Sequence, residues 1–320
     1  MTRRTLLPII ALLLVALPLV GCAAKPRQVV DVKVDGAAGV RWALGDSRVV
    51  VQLLGRGVAV YDETTGEETA AWRRPGIPSH ASYGLAVSAA GETLAVATED
   101  SVRVFRTADA APLLVVPGGG RALALSGDGA RVAWSDGAYG RVLKVADGRV
   151  IAEHLMPADR GGVVWLERVG RFAWTDTRRV VFMGPDSTVA GELTDFDVPE
   201  VGPLATSGSG ATLVVGEGPT ALSVWDTKSK KRRWRAQVRG RDLYSRMAMS
   251  ADTWYLATVN GGEVTLRWAY TSTVVTRWKP HGGAEVRDLA FATSGHLLAT
   301  VGADGHMRVW DIPTPKQEQR

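Results

Sequence analysis

The sequence predicts an all-β fold, and three observations lead to that prediction. Short segments repeat along the chain: Arg131–Asp136 (RVAWSD) closely matches Arg171–Asp176 (RFAWTD), 40 residues later. The chain contains 36 glycines and 11 tryptophans, and it has no long segment of helical periodicity. Apolar and polar residues alternate in short runs that turn residues separate. Repeats of this length, built from such strands, are typical of a β-propeller.

Seven units can be aligned on the residue that ends the first strand of each. These residues are Ala43, Ser88, Ser126, Glu167, Ser207, Ser250 and Ala292. The six intervals between them average about 41.5 residues, which is the length of one four-stranded propeller blade. We therefore predict seven four-stranded antiparallel blades, at about 39–80, 82–119, 121–161, 162–201, 202–243, 244–284 and 285–312.

The last unit shows its strands most clearly. We predict them at Val286–Ala292, His296–Val301 and Met307–Asp311, with turns at Ser294-Gly295 and Asp304-Gly305. An Asp-Gly pair between alternating runs is a strong hairpin indication, because glycine accepts a positive φ without strain.

The last unit has no segment of its own for a fourth strand. After Asp311 the chain continues with Pro313 and Pro315, and proline cannot donate to a β-ladder. Residues 28–34 (QVVDVKV), near the other end, form a predicted strand that belongs to no unit. We expect this strand to complete the last blade and close the ring, which hides the sheet edges. Residues 313–320 are then a C-terminal tail.

Residues 1–21 have the features of a secretory signal peptide. Two arginines follow Met1, and the run Leu6–Val20 carries no charge. The sequence Leu19–Cys22 (LVGC) resembles the lipobox of bacterial lipoproteins, in which the cysteine receives a diacylglyceryl group and becomes the first mature residue. The resemblance implies lipidation of Cys22, with residues 22–27 as a short tether to the membrane.

Cys22 is the one cysteine in the sequence, so no disulfide can form within the chain. The alternative is cleavage by the ordinary signal peptidase after Ala24, which gives a soluble secreted protein. In enterobacterial lipoproteins an aspartate after the cysteine retains the protein in the inner membrane. Ala23 stands there instead, so the resemblance implies the outer membrane, facing the periplasm. Removal of residues 1–21 takes away two arginines and no acidic residue, which lowers the net charge from +5 to +3.

The segment Leu297–Asp311 (LLATVGADGHMRVWD) resembles the WD-repeat family. In that family four side chains form a hydrogen-bonded set: a histidine before the first strand, a serine or threonine in the second, an aspartate in the next turn and a tryptophan in the third. The resemblance implies this structural role for His281, Thr300, Asp304 and Trp310. Paired buried polar groups of this kind fix one geometry of a blade.

The other six units depart from this pattern. None has a clear Gly-His pair, and Trp-Asp recurs at Trp225-Asp226. Two segments, Tyr61–Trp72 and Trp225–Trp234, resemble pyrroloquinoline-quinone-type repeats. Those repeats occur in quinoprotein dehydrogenases and, without a cofactor, in the lipoprotein of the outer-membrane barrel-assembly machinery. That lipoprotein has eight blades, whereas seven are counted here.

The sequence offers no constellation for catalysis or for a metal. No serine lies in a Gly-x-Ser-x-Gly motif, and Gly118–Arg121 has no helix after it to hold a phosphate. The histidines form no His-x-His or His-x-x-x-His pair. They are His80, His154, His281, His296 and His306. His281 and His306 are expected near Asp304 at one rim of the last blade, where two ligands are too few for a metal site. We expect no cofactor and no metal.

The basic tract Lys228–Arg235 (KSKKRRWR) is the strongest local concentration of charge. One interpretation is a surface for anionic lipid headgroups, lipopolysaccharide or an acidic partner. The other is an exposed turn and outer strand, where Lys and Arg discourage edge-to-edge pairing. Nucleic acid is not expected as a partner of an exported protein.

Arginine and tyrosine residues lie near the predicted starts of the first strands, around the mouth of the central channel. Propellers generally bind partners at this rim, and Arg and Tyr are enriched in interface hot spots. The predicted rim residues are Arg41, Tyr83, Arg121, Tyr244, Arg246 and Arg287. The alternative is that they are solvated loop ends.

Together these features predict a lipid-anchored, monomeric, non-catalytic scaffold that binds protein partners in the bacterial envelope. Two alternatives stay open: a propeller enzyme or ligand-binding protein, similar to quinoproteins or lactonases, and a scaffold of the barrel-assembly type.

Overall fold

The computed structural model describes residues 25–54, 57–73, 82–98, 100–120, 122–136, 138–155, 162–184, 188–198, 200–218, 221–237 and 246–313. These residues form seven four-stranded antiparallel sheets, so the predicted all-β, seven-bladed propeller is confirmed. The signal peptide at 1–21, Cys22 and residues 314–320 lie outside the described residues. No helix in the described ranges is long or apolar enough to cross a membrane.

The strands are numbered in chain order. Those of the first four blades, after the closing strand β1 (Arg27–Lys33), are β2 (Ala37–Ala43), β3 (Arg48–Leu53), β4 (Gly57–Asp62), β5 (Glu68–Arg73), β6 (Ser82–Val87), β7 (Thr93–Thr98), β8 (Ser101–Arg106), β9 (Pro112–Pro117), β10 (Ala122–Leu125), β11 (Arg131–Ser135), β12 (Tyr139–Lys144), β13 (Val150–Leu155), β14 (Val163–Leu166), β15 (Arg171–Asp176), β16 (Arg179–Met183) and β17 (Val189–Leu193).

Those of the last three blades are β18 (Val201–Thr206), β19 (Thr212–Glu217), β20 (Ala221–Asp226), β21 (Arg232–Gln237), β22 (Met247–Met249), β23 (Tyr255–Asn260), β24 (Glu263–Trp268), β25 (Val274–Trp278), β26 (Val286–Phe291), β27 (Leu297–Gly302) and β28 (His306–Asp311). A 3₁₀ turn, Glu167–Val169, separates β14 from β15.

The hydrophobic cores lie between neighbouring blades. One core joins side chains of the first blade, such as Val50 and Val58, to Leu94 and Phe105 of the second. Because side chains alternate across each sheet, every blade offers one apolar face to the blade before it and one to the blade after it. Burial of both faces explains why the second strands, for example β15, are buried along almost their whole length.

The ring closes through the N-terminal strand, as the sequence predicts. β1 pairs antiparallel with β28, so that Arg27 lies opposite Asp311 and Lys33 opposite His306. The fourth strand of the last blade therefore comes from the other end of the chain. The observed bounds of β1 differ from the predicted 28–34 by one residue at each end.

Side chains of the first blade also lock onto the last one. The Trp42 indole N–H donates to the Ala290 carbonyl at 2.9 Å. The Asp46 carboxylate accepts the Thr293 amide and hydroxyl, both at 2.7 Å, and the Ser294 amide at 2.6 Å. These contacts stabilise the junction between the first and last blades, where the ring closes.

The disc has two distinct faces. We call the face at which the first strands begin the entry face, and the face at which they end the exit face. Since neighbouring strands run antiparallel, the first-to-second and third-to-fourth turns of each blade lie on the exit face, and the second-to-third turns lie on the entry face. As a fourth strand, β1 starts on the exit face, beside Asp311 at the end of β28.

Candidate functional site

The four side chains of the last blade form a continuous hydrogen-bonded set. The Trp310 indole N–H donates to Thr300 Oγ1 at 3.1 Å, and Thr300 Oγ1 lies 3.0 Å from His281 Nε2. His281 Nδ1 lies 2.9 Å from Asp304 Oδ1. Gly305 follows Asp304 with a φ of +76°, the positive-φ conformation that is typical of an Asp-Gly turn. In this turn the Asp304 carboxylate lies beside the His281 imidazole.

His281 Nδ1 faces a cation as well as a carboxylate. Arg308 Nη1 lies 2.6 Å from this nitrogen, and Asp304 Oδ1 lies 2.9 Å from it. Burial of His281, which leaves 4% of the residue exposed, lowers the pKa of its imidazole below the usual 6.5 despite the nearby Asp304. The neutral form is therefore the working form of this histidine.

Two further residues join this set, and the sequence reasoning did not include them. Arg308 Nη1 donates to Asp304 Oδ2 at 2.6 Å, and its Nε donates to Asp31 Oδ2 at 2.9 Å. Asp31 Oδ1 also lies 2.6 Å from His306 Nδ1. Burial alone would raise the pKa of Asp304, but Arg308 and His281 hold it below the usual value of 3.8. The set thus ties the closing strand to the blade that it completes.

The four-residue set is a structural element rather than a reactive one. His281 and Thr300 are buried, and every polar atom that links them is already used in a hydrogen bond within the set. Within the described ranges, no three His, Cys, Asp or Glu side chains are placed to hold a metal ion.

At the channel, two of the predicted rim arginines pair with one carboxylate, and a third lies beside them. Arg41 Nη1 lies 2.7 Å from Asp288 Oδ2, and Arg246 Nε lies 3.7 Å from Asp288 Oδ1. Arg246 Nε also donates to the Arg287 carbonyl at 2.6 Å, and Arg287 Nη1 donates to the Ala37 carbonyl at 2.9 Å. We call Arg41, Arg246, Arg287 and Asp288 the arginine cluster.

The remaining rim predictions are not placed by the structure. Arg121 and Tyr244 lie outside the described residues, and for Tyr83 the structure describes the strand but not the side chain. Asp288, which organises the cluster, was missed because its neighbours in space are 42 and 247 residues away in sequence. The alternation of side chains along β26 was the one indication of this role, because it places an acidic residue on the inner side of the strand.

A cavity of about 310 Å³ occupies the central channel on the exit side. It is lined mainly by the ends of the first strands, with apolar side chains in the majority and Arg41 and Glu167 as the charged members. The Trp165 indole N–H donates to Glu167 Oε2 at 2.5 Å, so this acid is already engaged. A mouth of this kind suits binding rather than acid–base chemistry.

Comparison with known proteins supports the fold and one of the repeats. Residues 272–311 match the family model "WD domain, G-beta repeat". A stretch of 65 residues is 42% identical to "Transducin beta-like protein 3" of Mus musculus and of Homo sapiens. That stretch is 20% of this chain and 8% of those relatives, so the chain spans a small part of the curated relatives that it matches.

Among solved structures, the β-propeller domain of Myceliophteria thermophila Cps50 (Swd1) superimposes with a TM-score of 0.75. The match covers 90% of this chain and 100% of that domain, at 12% sequence identity. At this identity the likeness establishes the fold alone. The last blade is thus similar to a WD repeat in sequence, and the whole ring has the architecture of a seven-bladed β-propeller.

Proposed function

We propose that this protein is a lipid-anchored, non-catalytic scaffold of the bacterial envelope, which binds a protein partner on its entry face. The arginine cluster is the observation that carries the proposal. It brings three arginines together at the channel, and the Arg41 and Arg246 side chains are 37% and 47% exposed. Among the described residues, Arg287 has no carboxylate partner, so the cluster suits an acidic partner surface.

The position of β1 supports the anchor half of the proposal. Arg27 starts β1 on the exit face, so a lipidated Cys22 would hold that face towards the membrane. The entry face, with the arginine cluster, would then point away from the bilayer and stay accessible. We propose the outer membrane, facing the periplasm, as the location, and a monomer as the working form.

The anchor is tested by metabolic labelling with palmitate. The wild-type protein should incorporate the label and float with outer-membrane fractions in a density gradient. Cys22→Ala should lose the label. An unlabelled wild-type protein that is recovered as a soluble secreted form would establish cleavage after Ala24 instead.

Partner binding is tested with the full-length protein, solubilised from membranes and used as bait. Arg246→Glu/Arg287→Glu should lose the acidic partner that the wild-type protein captures. Arg149→Glu is the matched control, since Arg149 is exposed on the exit face of the third blade, and it should retain the partner. Arg287→Lys, which keeps the charge, reports whether a loss reflects charge or folding. Equal recovery by the wild-type and the double variant would contradict the proposal.

The enzyme alternative makes a different prediction. A quinoprotein or calcium-dependent lactonase should be stabilised by its cofactor or metal, since a ligand that binds the folded state raises the melting temperature. A melting temperature that rises with added calcium or quinone would favour the enzyme over the scaffold. The scaffold predicts no shift with either.

A further inference from the structure

The exit face carries an uneven distribution of charge and aromatic side chains. In the first blade its turns contain acidic residues paired with arginines, such as Asp62 with Arg48 at 2.9 Å. Arg168 and Arg171 lie in or next to the first-to-second turn of the fourth blade, and three lysines lie in the third-to-fourth turn of the fifth blade. The sixth blade has Trp254 and Tyr270 in its turns. We call this second region the exit-face sector; its members are Arg171, Lys228, Lys230, Trp254 and Tyr270.

A pocket of about 230 Å³ lies between the fourth and fifth blades in this sector. Its lining contains three cationic side chains and no carboxylate. The lining residues are Val169, Arg171, Phe182, Thr227, Lys228 and Lys230. A small concave site with this composition matches the charge and size of a phosphate group.

Lys230 is held in place at the edge of this pocket. Its ammonium donates to the Ala190 carbonyl at 3.2 Å and lies 5.9 Å from the centre of the Phe182 ring. Gly191 leaves the room for it, because a Cβ there would lie 1.7 Å from Lys230 Nζ. The lysine is therefore positioned in advance, which reduces the entropy lost when an anion binds.

The three arginines of the basic tract are neutralised within the protein. Arg232 lies 3.0 Å from Asp195, and Arg233 lies 3.0 Å from Asp226. Arg235 pairs with the buried Glu217. Arg171 and Lys228, in contrast, have no ion pair among the described residues. The arginines of the tract therefore form ion pairs around the outer strand, and Lys228 and Lys230 line the pocket.

The aromatic part of the sector lies on the next blade. Trp254 packs edge-on against Tyr270, with ring centres 6.4 Å apart. Tyr270 is 55% exposed, and its hydroxyl lies 2.7 Å from the Thr253 hydroxyl. Trp and Tyr with an apolar body and a polar tip are the side chains that favour the membrane–water interface.

The closing strand β1, which follows the predicted tether in sequence, comes next around the ring, on the last blade. Four residues lie between Cys22 and Arg27, and the five steps from one to the other span at most about 17 Å when the chain is fully extended. If Cys22 is anchored as we propose above, the exit face lies within that distance of the headgroups. Basic, aromatic and tethered blades are then consecutive on the side that faces the bilayer.

From this arrangement we propose that the exit-face sector binds anionic lipid headgroups, with a lipid phosphate in the pocket of Arg171, Lys228 and Lys230. The inference rests on the proposed lipid anchor. A bilayer is favoured over an acidic protein because the short tether leaves little depth between the exit face and the headgroups, and because the cations adjoin interfacial aromatics.

The experiment uses the full-length lipidated protein in proteoliposomes. Cys22 is the one cysteine in the sequence, and in the proposed anchor its thiol is alkylated, so a new cysteine can be labelled selectively. Thr271→Cys places a fluorophore in the sector, and Ala108→Cys places one on the exit face of the second blade. Quenching by brominated lipids is measured in vesicles of phosphatidylcholine with and without phosphatidylglycerol.

The proposal expects stronger quenching at position 271 than at 108, with the difference present only in vesicles that contain phosphatidylglycerol. Lys228→Glu/Lys230→Glu should abolish the difference, and so should high salt, which screens exposed charges. Arg149→Glu is the matched control and should leave it unchanged.

The two proposals fail in different ways. A wild-type protein that does not float with the vesicles contradicts the anchor itself. A protein that floats but is quenched equally at both positions, or equally with neutral lipid, contradicts the headgroup site and leaves the anchor standing. Capture of an acidic protein that displaces the label from the vesicle surface would assign the sector to a protein partner and overturn the lipid assignment.

Discussion

The sixth and seventh blades carry a threonine and a tryptophan at the same spacing in sequence, yet only in the seventh blade does a hydrogen bond join them. Thr258 and Trp268 of the sixth blade lie 42 residues before Thr300 and Trp310 of the seventh. Thr300 Oγ1 has two hydrogen-bond partners, whereas Thr258 Oγ1 is buried and has none among the described residues.

The register of the third strand makes the difference, together with the missing aspartate. Trp268 lies opposite Tyr255, as Asp311 lies opposite Leu297, whereas Arg267 takes the place of Trp310. Trp268 therefore points to the other face of its blade. The position equivalent to Asp304 is Gly262 in the sixth blade, and its second-to-third turn supplies no carboxylate. Trp268 is instead stacked on Tyr255 at 4.9 Å and packed edge-on against Trp254. Both blades have four strands, so the polar set is not required to form a blade. Apolar packing between blades is sufficient for that, and the polar set adds one defined geometry where the ring closes.

The largest expected effect is that of removing the third-strand tryptophan. Trp310→Ala deletes a side chain that is 8% exposed and removes the donor to Thr300, so we expect a loss of about 3–5 kcal/mol. Trp268→Ala should cost less, because Trp268 is partly exposed and donates to no member of such a set. Urea unfolding, followed by circular dichroism, measures both. Equal losses would show that the two tryptophans act by packing alone.

Replacing Thr300 or Thr258 by the isosteric valine compares the contributions of the two hydroxyl groups to stability. Thr300→Val leaves the Trp310 N–H and His281 Nε2 buried without a partner, at about 1–3 kcal/mol for each group. Thr258→Val removes a hydroxyl that is already unpaired and should be neutral or slightly stabilising. The midpoints of urea unfolding of the two variants should thus move apart. A comparable loss in both would mean that Thr258 has a partner in solution.

The smallest expected effect is the pH dependence of the folding stability that His281 contributes. The folded-state pKa of His281 is below its unfolded value of about 6.5, so the unfolded chain binds the proton first as the pH falls. Stability from this group is fully present above the unfolded pKa and declines as the pH drops from about 7 towards the folded value. Asp31, Asp304 and Arg308, which surround the ring, keep their charges over that range.

The measurement is the unfolding free energy between pH 7 and pH 5 for the wild-type protein and His281→Gln. The variant should be less stable at pH 7 and should show a shallower decline, because glutamine does not titrate. Parallel curves would assign the pH dependence to another group.

Much of the fold could be predicted from the sequence because it depends on local patterns. Short alternating strands, the period of the repeat and the Asp304-Gly305 turn are each encoded within a few residues of each other. The closing role of β1 could also be predicted, because the last unit is one strand short and the prolines after Asp311 exclude another. The last blade resembled its family closely enough for the resemblance to imply His281 and its partners.

The sites were harder to predict, because residues far apart in sequence build them. Asp288 gathers Arg41 from the other end of the chain, and Asp31 reaches Arg308 only because β1 closes the ring. The basic tract was visible in the sequence, but which of its cations are neutralised depends on Asp195 and Glu217 from other strands.

The sequence by itself determined the number of blades, their order and the strand that closes the ring, since hydrophobic period and turn chemistry are local properties of the chain. The tertiary structure decided which charges meet, which stay unpaired and which face they share. Those outcomes follow from the register and the antiparallel direction of strands within the blades, which also place the start of β1 beside Asp311 on the exit face.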